Sequence, residues 1–167
     1  RSAHAPIALI CSSIGRALRT VLDDNKEHAM HIYAWASTDI GKKRRENQDS
    51  YLLARDLKLF AVADGMGGHN GGEVASALVV DTIDKAVRAG RFIDESVRAA
   101  NAHIHATSLA DPELRGMGTT TTGILFRDRK AYVAHVGDSR VYRVRAGGIA
   151  QLSEDHSLVQ QQVRAGL

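Results

Sequence analysis

Two apolar runs, Phe60-Ala61-Val62-Ala63 and Tyr132-Val133-Ala134-His135-Val136, lack the alternation with polar residues that a strand with one wet face shows. Strands of this kind are covered on both faces, so the chain is expected to build a layered α/β (α+β) architecture. Each run also ends alike: Ala63-Asp64-Gly65 and Val136-Gly137-Asp138 place an aspartate beside a glycine where a buried strand emerges. Such strand-end carboxylates suit a metal ion. Rigid strands aim oxygen atoms at one point, and glycine lets a backbone carbonyl approach a cation. A single Asp-Gly pair is an ordinary turn signal, so the weight rests on the two together.

The rest of the chain is punctuated regularly. Ile32–Ser37 reads as a strand, 41–49 as a charged loop, and Tyr51–Ala54 with Leu59–Ala63 as a hairpin around Arg55–Lys58. Apolar residues Val74, Leu78, Val79, Ile83, Ala86 and Val87 predict a helix over 73–89 that Gly90 ends. Ile93, Val97, Ala100, Ile104 and Thr107 predict a second over 94–110, with Pro112 just beyond it. Strands are expected again at 119–126, 131–136, 141–145 and 149–152, and a last helix near His156, capped by Asp155. Ile7, Ile10, Ile14, Leu18, Val21 and Leu22 recur at helical spacing, so residues 1–31 read as an appended extension with an amphipathic helix and residues 32–167 as the domain proper.

Composition narrows the function. With 44% hydrophobic and 25% charged residues in 167, the chain can bury one core, which excludes disordered and collagen-like classes. The net charge of +3 is spread out except at Lys42-Lys43-Arg44-Arg45, so a nucleic-acid role is not indicated. The apolar stretch Ile7–Cys11 falls far short of the roughly 20 residues of a membrane helix. The single cysteine, Cys11, cannot form an internal disulfide and fits a reducing compartment, the cytoplasm by default. Arg16 lies five positions after Cys11, one short of the Cys-x5-Arg loop of cysteine-dependent phosphatases. The cluster Gly65, Gly67, Gly68, Gly71, Gly72 lacks the Lys-Ser/Thr of a phosphate-binding P-loop.

Four ordered motifs carry a specific resemblance. Thr38-Asp39-Ile40-Gly41-Lys42-Lys43-Arg44-Arg45-Glu46-Asn47-Gln48-Asp49, Val62-Ala63-Asp64-Gly65-Met66-Gly67-Gly68-His69, Gly116-Met117-Gly118-Thr119-Thr120 and Val136-Gly137-Asp138-Ser139-Arg140 resemble the metal-dependent protein phosphatases of the PPM (type 2C) family, bacterial branch. Glu154-Asp155-His156-Ser157-Leu158 fits as well. The resemblance implies a β-sandwich flanked by helices (αββα) that hydrolyses phosphoserine and phosphothreonine in proteins with two Mn2+ or Mg2+ ions and a third, weaker site. Its implied partners are phosphorylated proteins and the Ser/Thr kinases it opposes.

By that resemblance Asp64 bridges the two ions, the Gly65 carbonyl binds one of them, and Asp138 belongs to the third site. Arg44 matches a phosphate-binding arginine, a task suited to the planar guanidinium fork. Asp49 falls where an acidic residue orients metal-bound water, and His69 could assist with protons. On the residues alone, Asn47 and Asp49 read equally as turn formers, Thr119 and Thr120 as structural, and the Lys42–Arg45 run as a solvated loop.

The family pattern further implies two later metal-binding aspartates in Asp-Gly-Leu and Asp-Asn contexts, whereas the acidic residues after Asp138 are Glu154 and Asp155. The chain is therefore expected to carry the N-terminal part of the domain and to cover open sheet edges by self-association or domain swapping. A non-catalytic scaffold that binds phosphoproteins through Arg44 is the alternative to a phosphatase.

Overall fold

The computed structural model describes residues 7–11, 16–23, 31–40, 42, 46–67, 71–145 and 147–157. Along the chain these form β1 (Ile7–Cys11), β2 (Arg16–Asp23), β3 (His31–Trp35), β4 (Asp49–Ala54), β5 (Leu59–Met66), α1 (Gly71–Arg88) and α2 (Ile93–Ala110). There follow β6 (Gly118–Thr119), β7 (Thr121–Arg127), β8 (Lys130–Val136), β9 (Arg140–Arg145) and β10 (Gly148–Gln151). One sheet runs β10-β9-β1-β2-β3 and the other β4-β5-β7-β8, with β6 paired to β5. The pairings between described strands are antiparallel, so the class is α+β.

Strand periodicity builds the layers from β5 outward. Successive side chains of a strand point to opposite faces. Leu59 and Ala63 of β5 therefore join Leu125 of β7, Ala134 of β8, Val79, Ile83 and Val87 of α1 and Ile93 and Ala100 of α2 in a core beneath the helices. Phe60 and Val62 point the other way and pack with Ile124 and Phe126 of β7, Val141 of β9 and Ala34 of β3 between the two sheets. Gly123 lets α2 approach the sheet, since a Cβ there would meet Ile93 Cδ1 at 3.2 Å. Phe92 seats the start of α2 edge-on against Tyr132 of β8, with ring centroids 4.7 Å apart.

Two expectations are corrected. Residues 7–11 and 16–23 are strands, not an amphipathic helix: β1 pairs with β9 and with β2, and β2 with β3, so the backbone groups of β9 and β3 supply a ladder that overrides helical spacing. Of the two unalternating runs, β5 is buried on both faces, but Val133 and Val136 of β8 are exposed because β8 is the edge of its sheet. The helix expected to begin near His156 falls on residues 158–167, which lie outside the described residues; before it, the Asp155 carboxylate is gripped by Arg140.

Because β4-β5-β7-β8 lines both cores, Phe60→Ala on one face and Leu59→Ala on the other should each cost about 2–5 kcal/mol. Both should shift a single cooperative urea transition; two separate transitions would show that the layers fold independently.

Candidate functional site

The site grows from the end of β5. Asp64 lies opposite Asp49 of β4 in the antiparallel register. The Gly65 N–H donates to the Gln48 carbonyl at 3.0 Å, which makes the neighbouring Asp64–Asp49 pair one of the non-hydrogen-bonded type. In such pairs the Cα atoms stand only about 4.5 Å apart and the side chains come closer. Two like charges placed directly opposite destabilise a sheet by themselves. A hard divalent cation with oxygen ligands removes that repulsion, so this half of the site fits Mn2+ or Mg2+.

The backbone groups of Asp64 face the other neighbour. Its N–H donates to Thr120 Oγ1 at 3.0 Å, and its carbonyl accepts from the Thr120 N–H at 2.9 Å and from Thr119 Oγ1 at 3.0 Å. Thr120 interrupts the strand expected over 119–126, leaving β6 and β7 on either side. Glycine at 65 is a steric necessity, because a Cβ there would lie 1.9 Å from the Gly72 carbonyl oxygen and 2.6 Å from that of Gln48. The first turn of α1 therefore presses against the strand end, bringing the positive end of an 18-residue helix near the carboxylates. Asn47 behaves as the turn former read from sequence: its Oδ1 accepts from the Asp49 N–H at 3.1 Å, and its Nδ2 donates to Thr38 Oγ1 at 2.8 Å.

Asp138 is exposed in the turn between β8 and β9, where Gly137 adopts φ +107°. It reaches the Asp64 strand through its neighbour, as the buried Ser139 hydroxyl shares a 2.8 Å hydrogen bond with Thr120 Oγ1. Among the described residues, no group of three His, Cys, Asp or Glu side chains gathers closely enough to hold a metal ion, and Asp64 and Asp49 face one another as a pair. Arg44 and His69 lie outside the described residues.

Beneath the Asp138 turn lies a polar clasp that sequence reading missed. The His135 Nε2–H donates to the Glu154 carbonyl at 2.9 Å, leaving Nδ1 to accept from the Thr122 hydroxyl at 2.8 Å. His156 Nδ1 accepts from the Gly137 N–H at 3.3 Å, the His156 backbone N–H donates to the Gly137 carbonyl at 2.7 Å, and the two imidazoles stand 4.9 Å apart. Arg140 grips Asp155 through Nε and Nη2, which holds that carboxyl below the usual carboxylate range. The only sequence signal was the Gly-Asp-Ser-Arg and Glu-Asp-His-Ser wording of two motifs, which gives no hint that they meet.

Residues 41–162 match the family described as protein phosphatase 2C, and the chain belongs to that family. It is 44% identical over 137 residues to the serine/threonine protein phosphatase PstP of Mycobacterium tuberculosis, a match covering 78% of this chain and 26% of that protein. It is 37% identical over 141 residues to protein phosphatase PhpP of Streptococcus pneumoniae, covering 77% of this chain and 57% of PhpP. The chain thus spans about a quarter to somewhat over half of these relatives. Among solved structures, the PstP catalytic domain in complex with two manganese ions superposes with a TM-score of 0.70 at 40% identity, over 77% of this chain and 57% of that one. Serine/threonine phosphatase Stp1 of Staphylococcus aureus gives 0.70 at 31% identity, over 78% and 56%.

Two outcomes follow from this geometry. In metal-free protein Asp49→Asn should leave the fold intact, and it should diminish the rise in Tm on adding Mn2+; an undiminished rise would refute a part for Asp49 at the metal site. Burial lowers the His135 pKa from its ordinary 6.5, with the nearby His156 acting the same way and the Glu154 carbonyl opposing. A base whose pKa falls on folding stabilises the fold above its unfolded value and loses that contribution as pH drops through the folded one. Stability should therefore decline below about pH 6.5, and His135→Gln should flatten that decline in melting curves taken between pH 5 and 7.5.

Proposed function

We propose that the chain is the N-terminal part of a protein serine/threonine phosphatase domain that hydrolyses phosphoserine and phosphothreonine with the help of Mn2+ or Mg2+. The observation that carries this reading is the non-hydrogen-bonded Asp64–Asp49 pair at the glycine-hemmed end of β5, in a chain of the protein phosphatase 2C family. Divalent ions held there would supply an activated water and neutralise charge on the phosphoryl oxygens.

In this reading Asp64 and the Gly65 carbonyl hold the ions, Asp49 accepts a proton-bearing hydrogen bond from the attacking water, and Asp138 serves a third, weaker site. Arg44 grips two phosphate oxygens in its planar fork, and His69 moves a proton at the leaving oxygen. The substrates are phosphorylated proteins, and the opposing partners are Ser/Thr kinases. Among the described residues no helix is long and apolar enough to cross a membrane, and we place the chain's work in the cytoplasm. The edge strand β3 carries stacked, half-exposed Tyr33 and Trp35 with ring centroids 6.3 Å apart, which supports self-association through that edge.

The deciding assay is hydrolysis of a phosphothreonine peptide by the 167-residue chain with and without Mn2+. Turnover that requires Mn2+ and is abolished by Asp64→Ala is the expected result. A folded, inactive protein that still binds the peptide through Arg44 would favour a non-catalytic scaffold. Light scattering should give a mass above that of one chain, and a concentration-independent monomer would remove the self-association reading.

A further inference from the structure

We infer that Thr120 is a positioning residue that sets Asp64 and Asp138 relative to one another; this rests on reading those two aspartates as cation ligands. The side chain of Thr120 is engaged on every branch. Its Oγ1 accepts from the Asp64 N–H at 3.0 Å and shares a 2.8 Å hydrogen bond with the Ser139 hydroxyl. Its methyl group fills the space in which a Cβ on Gly137 would sit, 2.6 Å from Thr120 Cγ2. Asp138 is thus flanked on both sides by residues that touch Thr120, and the same side chain and its own N–H hold both backbone groups of Asp64.

Residue type matters at each branch. Serine at 120 keeps the hydroxyl bridge but loses the wedge against Gly137, while valine keeps the wedge and leaves the Asp64 N–H and the fully buried Ser139 hydroxyl without this partner. Neither ladder pairing nor apolar packing calls for a hydroxyl here, since Thr120 stands between β6 and β7. Asp64 leaves β5 with its amide directed at a side chain rather than at the next strand. Its orientation therefore follows Thr120, and through Ser139 the turn bearing Asp138 follows it too.

The test is a Mn2+ titration followed by paramagnetic broadening in 1H–15N spectra of wild type, Thr120→Val, Thr120→Ser and Ser139→Ala, with folding checked by circular dichroism. In wild type the Asp64 amide should broaden first and the Asp138 amide at higher Mn2+ concentration, as the weaker site fills. In Thr120→Val the midpoint should rise about tenfold or more, the usual effect of losing a group that orients a ligand. Thr120→Ser should recover most of the affinity. Ser139→Ala, which removes only the far end of the bridge, should weaken broadening at Asp138 more than at Asp64, and it decides the matter if Thr120→Val does not fold. A merely structural role would lower the melting temperature of Thr120→Val and leave its Mn2+ midpoint at the wild-type value, which overturns the inference. If wild type shows no broadening at Asp64, the metal reading under the proposed function fails and the inference falls with it.

Discussion

The structure depends on a close backbone approach at the end of β5. Gly65 and Gly72 come together so tightly that no side chain fits at position 65, and this contact joins the strand end to the first turn of α1. From it follow the position of the helix start, the half-buried place of Asp64 beside the cross-strand Asp49, and the direction in which the Asp64 amide points. Replacing Gly65 by any other residue would require the helix to retreat from the sheet, because the clashing atoms are backbone rather than flexible side chain.

The two cores and the site are consequences of the same strand. A run buried on both faces cannot end in a charged residue without an outlet, and β5 provides one by emerging between β4 and the Thr119–Thr120 segment. Asp64 is then held by ordinary backbone geometry on the β4 side and by hydroxyls on the other. The clasp formed by His135, His156, Arg140 and Asp155 plays a parallel part for the turn at Asp138, tying residues 152–157 back over the β8–β9 turn. The site is thus a meeting of a strand end and a turn, each anchored from outside by polar side chains.

Much of this was legible in sequence, and unevenly so. The helices at 71–88 and 93–110 and the hairpins at 49–66, 121–136 and 140–151 agree with apolar period and turn residues to within a few positions, because those signals are local. The N-terminal segment misled because Ile7, Ile10, Ile14, Leu18 and Val21 fit a helix stripe, while the open ladders of β9 and β3 made strands the better solution. Burial of β8 was overestimated because a strand's composition does not say whether it will stand at an edge.

For the site, the amino-acid sequence alone supplied the candidates, Arg44, Asp49, Asp64, Gly65, His69 and Asp138, in motifs whose order identifies the family. Tertiary structure decided their relations. That Asp49 faces Asp64 is a matter of register, which a slip of one residue would reverse. That Thr120 reaches both Asp64 and Ser139, from positions 56 and 19 residues away, depends on three strands converging. Hydrogen-bond partners so distant in the chain leave no periodic trace in it, because residue types record what a group can bond to, whereas packing of the sheets and helices selects which group it meets.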